Sequence, residues 1–145
     1  MIDIEIRTIE HEKHRYNTLG DWFTVEKMYQ HPGEPSDYRM VIQVSDFTRK
    51  MRDGACLLMA EKFEFLIALH ELIEMFLCNE HGISAREIDA FDMKFTGQGE
   101  PGDDPGCPYY AEHQFASAME HMMANALGVN WEEYQKQCDE VAMPH

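Results

Sequence analysis

The chain has 145 residues, 44% hydrophobic and 11% aromatic, a length and composition suited to a single domain spanning residues 1–145. That profile excludes a disordered chain, and a domain of this size needs neither a disulfide nor a metal merely to fold. Twenty-seven acidic residues against twelve basic ones give a formal charge of −15. Such a charge disfavours nucleic acid and anionic membranes as partners and favours basic proteins or divalent cations.

In chain order, the first third reads as strands. Ile2, Ile4 and Ile6 alternate with Asp3, Glu5 and Arg7, the period of two that marks a half-buried strand. Residues Asn17 to Asp21, with Gly20 among them, predict a turn, and Trp22 to Val25 is rich in strand formers. His31-Pro32-Gly33-Glu34-Pro35 predicts a loop, and Tyr38 to Ser45 alternates again. The remainder predicts helices. One runs from near Ala55 to His81 and stops at Gly82. Ser84 and Glu87 form a capping box for a short helix through Phe91. Gly97 to Pro108 is a loop, a third helix follows from Pro108 to Leu127, and Asn130 and Glu133 cap a last one through Val141. The expected fold class is α+β: a small antiparallel N-terminal sheet of about three strands on about four helices, with the helix at 55–81 in the centre. No apolar run approaches the ~20 residues that span a bilayer. Cys56, Cys78, Cys107 and Cys138 form no CxxC pair, which, with no basic and apolar leader, predicts a reducing, cytoplasmic setting.

The long helix carries the chemistry. Phe65, Leu69, Leu72, Ile73 and Phe76 cover one side of its wheel and Phe63, Ile67 and Leu77 much of the other, so it should be buried on nearly all faces. His70, Glu74 and His81 fall within about 20° of Phe63, with Glu71 and Glu64 on the adjoining stripe. A buried carboxylate must find a cation, a metal or a proton, and Lys62 is the only nearby lysine or arginine. His70 and Glu74, one turn apart, suit two ligands of a divalent metal, and Glu71 is then placed as a general base. The competing reading is a structural His70–Glu74 pair that locks a helix–helix contact. On the third helix, Ala111, Phe115, Ala118, Met122 and Ala126 form the apolar face. Glu112 lies roughly 60° from its centre, while His113 and Glu120 lie nearly opposite. Glu112 is therefore the first choice for a third metal ligand and His113 the reserve. Asp92, Asp103 and Asp104 are further donors. His81 is expected to answer the helix dipole rather than to bind metal.

His70-Glu71-Leu72-Ile73-Glu74 resembles the active helix of zincin metallohydrolases, whose signature is H-E-x-x-H. The order of elements, a small sheet and then the active helix, is also similar. The resemblance implies a hydrolase with His70 as ligand, Glu71 as base, and an extended substrate on an edge strand; Glu74 stands where the family has its second histidine. Zinc is the first metal expected, with manganese or iron following as carboxylates accumulate. The chain also looks like small phage or prophage proteins of unassigned function, which implies an acidic module that binds or inhibits a basic protein without catalysis. A second alternative rests on Glu71-Leu72-Ile73-Glu74, an E-x-x-E pair similar to that of the all-helical, magnesium-dependent nucleotide pyrophosphohydrolases.

Overall fold

The computed structural model describes residues 3–26, 38–49 and 54–143. Ile2 and the loop expected at 31–35 lie outside the described residues. The fold is α+β. Strands β1 (Ile4–Ile9), β2 (Gly20–Glu26) and β3 (Tyr38–Ser45) precede helices α1 (Gly54–Glu80), α2 (Ala85–Asp92), α3 (Tyr110–Ala126) and α4 (Trp131–Ala142).

The sheet is mixed rather than antiparallel, in the order β1-β3-β2. β2 pairs antiparallel with β3, with Trp22 opposite Ile42, whereas β1 runs parallel to β3, with Ile6 opposite Ile42. Alternation reports which residues share a face, not which way a neighbouring strand runs. β3 is thus central, and Val41, Ile42, Val44 and Ser45 are all buried. β1 lies at an edge: Ile4 packs on the core while Ile6 is exposed.

The helix ends follow the local chemistry of the sequence. Gly82 and Gly128 adopt φ of 72° and 68°. Each lets the next amide reach back to a carbonyl of the last turn, Ile83 to Cys78 and Val129 to Ala124, both at 2.9 Å. The Ser84 side chain and the Glu87 carboxylate cap α2 reciprocally, and the Asn130 side chain accepts the Glu133 amide at 2.9 Å. α3 begins two residues after Pro108, at Tyr110.

One face of α1 packs against the sheet and α3. Phe63, Leu66, Ile67 and Met75 join Ile42, Val44, Phe47 and Tyr134 in the core. The expectation that α1 is buried all round fails, because Leu58, Phe65 and Phe76 are exposed on its outer side. α3 runs antiparallel to α1, since His70 meets both His113 and Glu120, His81 meets Glu112, and Lys62 bonds the Leu127 carbonyl. Among the described residues no helix is long and apolar enough to cross a membrane. Cys78, Cys107 and Cys138 are buried free thiols.

Candidate metal centre

The buried face of α1 brings His70 and Glu74 inward, 6% and 5% exposed. α3 supplies the third member, though not through the face that its large apolar residues select. Phe115, Met119 and Met122 face outward, and α3 buries Glu112, His113, Ala116, Glu120 and Ala124 instead. Two alanines on that stripe let α3 approach α1 closely, and the polar side chains between them find partners there.

His70 Nε2, Glu74 Oε2 and His113 Nδ1 form a triangle. The two imidazole nitrogens are 3.1 Å apart, and Glu74 Oε2 lies 3.3 Å from His70 and 2.8 Å from His113. Ligands about 2.0–2.2 Å from a tetrahedral zinc are roughly 3.3–3.5 Å apart, and those of an octahedral ion of similar radius about 3.0 Å. The edges of the triangle bracket the octahedral spacing and two of them are shorter than the tetrahedral one, and this buried group could hold a metal ion.

Each member is also held from behind. His70 Nδ1 meets Glu120 Oε2 at 2.9 Å, and Glu120 accepts a second hydrogen bond from the Tyr134 hydroxyl. The Trp22 indole N–H donates to Glu74 Oε1 at 3.2 Å. His113 Nε2 lies 3.3 Å from Asp103 Oδ1, which also accepts from Gln114. Carboxylates behind ligating histidines fix the ring and leave the other nitrogen's lone pair free for a metal. The one-turn helix Pro101–Asp103 delivers Asp103, and Gly102 within it lies against the His113 ring, where a β-carbon would collide with the imidazole.

The electrostatics describe a place built for positive charge. Burial by itself penalises charge on His70, yet its hydrogen bonds to Glu120 and Glu74 raise its pKa well above the usual value. His113 is raised in the same way, chiefly by Glu74 against the cost of burial. Burial would raise Glu74, but the hydrogen bonds from His113 and His70 overcome it and hold the carboxyl at about 2. Two protonated imidazoles 3.1 Å apart would repel each other, and one divalent ion held by His70, Glu74 and His113 would replace both protons without that conflict.

Glu71 lies beside this group and makes no hydrogen bond or ion pair among the described residues. Burial first, then the charge of Glu74, raises its pKa well above the usual carboxylate range. Its carboxylate rests against Gly20, at a point where any β-carbon would collide with it. The strand beside Glu71 is therefore β2, at the sheet edge, and not β3, which precedes α1 in sequence but is central.

The chain matches no family model, no curated protein and no solved structure. The site therefore rests on its geometry.

Of the residues singled out from sequence, His70, Glu74 and His113 come together. Glu112 is buried but turns to the end of α1, where His81 Nδ1 lies 2.6 Å from its carboxylate. It stands outside the group because it lies at the end of α1, against that half-exposed histidine. Asp92 accepts the Tyr109 hydroxyl at 2.8 Å, with burial pushing its pKa up to about 6. Asp104 caps the turn at the Gly106 amide. Trp22 and Tyr134 carry no functional signal in the sequence, and Glu120 is read there only as lying opposite the apolar face of the third helix. The available signal was the spacing of His113, Ala116, Glu120 and Ala124, a small and polar stripe at helical period.

Proposed function

We propose that the chain is a zincin-like, metal-dependent hydrolase in which His70, Glu74 and His113 hold zinc and Glu71 is the general base. One observation carries the reading. Three atoms able to ligate a metal converge within 3.3 Å, and the outer polar atom of each residue is already engaged by Glu120, Trp22 or Asp103. Two histidines and one carboxylate are a donor set of catalytic zinc, which leaves a position for substrate or water; the same set suits iron or manganese. The ion supplies Lewis acidity that brings water toward ionisation near pH ~7.

The chain's own residues supply the remainder. Glu71, which burial and then the charge of Glu74 make a stronger base than an ordinary carboxylate, has no hydrogen-bond partner among the described residues and would accept the proton of the attacking water. Gly20 keeps the edge strand close to that carboxylate, where an extended substrate can lie along β2. The magnesium pyrophosphohydrolase reading has less support, because the partners of Glu74 are imidazoles and magnesium prefers oxygen. The acidic binding module draws on the charge of −15 alone.

The test is hydrolysis by zinc-loaded protein of nitrophenyl esters, nitrophenyl phosphates and a mixed peptide pool. Hydrolysis that a chelator removes, that zinc restores, and that Glu71→Gln lowers about 10²-fold or more while keeping its metal supports the proposal. Zinc-loaded protein that cleaves none of the three classes overturns it.

A further inference from the structure

The cavity that opens onto the metal centre is rich in carboxylates. It encloses about 1060 Å³, the scale of sites that take a drug-sized molecule or a peptide segment. His70, Glu71, His113 and Glu120 form one part of its lining. Trp131, Tyr134, Gln135, Cys138 and Asp139 also line it, and their spacing puts them on one face of α4. Glu100 and Asp103 contribute from the turn before α3.

Five of the lining residues are carboxylates, Glu71, Glu100, Asp103, Glu120 and Asp139, and no lysine or arginine among the described residues lines the cavity. Two of these acids are occupied, Glu120 by His70 and Tyr134 and Asp103 by His113 and Gln114. The side chains of Glu71 and Asp139 have no hydrogen bond or ion pair among the described residues. Glu100 is 41% exposed and reaches His113 only at 3.8 Å. An aromatic surface accompanies this unspent acceptor capacity. Trp131 is held by stacking on His121, 4.2 Å between centroids and 18° between planes, and packs against Tyr134. Acceptors of one sign in a concave site focus the field and repel anions, and an aromatic wall adds attraction for cations.

We propose that this cavity recognises an organic cation, the guanidinium or ammonium group of a peptide-like substrate, with Glu100 and Asp139 facing the charge and Trp131 facing its aliphatic or planar part. As a substrate site it rests on the hydrolase reading; as a binding site it does not need the metal.

The experiment is calorimetric titration of two acetylated, amidated pentapeptides, Ala-Ala-Arg-Ala-Ala and the same peptide with citrulline, an uncharged isostere of arginine, in place of Arg. Both are measured on zinc-loaded and on chelator-treated protein. The expected result is a preference of about 10-fold or more for the arginine peptide in both forms, narrowed by added salt. Asp139→Asn, which leaves the metal group untouched, should weaken the arginine peptide about 3- to 10-fold and leave the citrulline peptide unchanged. Equal affinity for the two peptides, or binding of neither, overturns the proposal. A retained preference without zinc uptake or hydrolysis overturns the hydrolase reading alone.

Discussion

His11 and His14 sit beside the sheet, and His70 and His113 sit between α1 and α3; the two pairs are satisfied in opposite ways. In the first, His11 Nδ1 and His14 Nε2 each lie 3.0 Å from the hydroxyl of Ser45, which is fully buried. A hydroxyl donates once and accepts twice, so one serine can serve both imidazoles. His14 Nδ1 is left buried with no partner among the described residues. Burial, then repulsion from His11, pushes His14 down to about 4. In the second pair the neighbours are Glu74, Glu120 and Asp103, and the same burial leaves both imidazoles with raised pKa values. Burial alone pushes a histidine toward its neutral form; burial among carboxylates strengthens its hold on a proton.

The largest expected effect breaks the second pair. His70→Ala, Glu74→Ala or His113→Ala should weaken zinc binding on the order of 10³-fold or more, beyond the 10- to 100-fold of a supporting residue. His11→Ala and His14→Ala should leave it unchanged, as isothermal titration with zinc will show. Next is removal of the metal. Zinc at a hundred times its Kd stabilises by about 2.7 kcal/mol, so a chelator should lower Tm by roughly 5–10 °C in a scanning calorimeter. Glu120→Gln removes the carboxylate behind His70 while keeping its size, and should cost about 10- to 100-fold in zinc affinity. Because binding must displace protons held by His70 and His113, zinc affinity should rise as pH rises.

The smallest effect sharpens the first pair. His14 is depressed to about 4 in the folded chain against an ordinary value of 6.5. As pH falls below 6.5 the unfolded chain takes up a proton that the folded one refuses, so stability is lost between those values. His14 is only partly buried, and the loss should be on the order of 1–2 kcal/mol after screening. Urea unfolding at a series of pH values should show this decline in wild type and flatten it in His14→Gln. The metal-free second pair has the opposite sign. Its raised imidazoles stabilise fully below 6.5 and lose that contribution as pH rises through their folded values.

Local chemistry made much of the fold legible. Gly82, Gly128, the Ser84–Glu87 box and Asn130 bracket the helices because caps act within a few residues. Strand direction was not legible, since the parallel pairing of β1 with β3 is decided by the chain between them. In the site, His70 and Glu74 were readable as one-turn neighbours on α1. Glu112 ranks ahead of His113 in the sequence because the large apolar residues of α3 read as its inward face. Phe115 and Met122 point outward, while His113 and Glu120 turn in to meet His70 and Glu74. Glu112, one residue away, follows the same rotation but lies at the end of α1, within reach of His81 rather than of the group. The large apolar residues of α3 thus do not mark its inward face, which the small and polar stripe of His113, Ala116, Glu120 and Ala124 occupies.

The most direct test is the metal content of untagged protein by elemental analysis after zinc loading and desalting, compared across wild type, His113→Ala and Glu112→Ala. The structure predicts near-stoichiometric metal in wild type and in Glu112→Ala, and its loss in His113→Ala. Metal-free wild type, or loss through Glu112→Ala with retention in His113→Ala, would contradict a centre built from His70, Glu74 and His113.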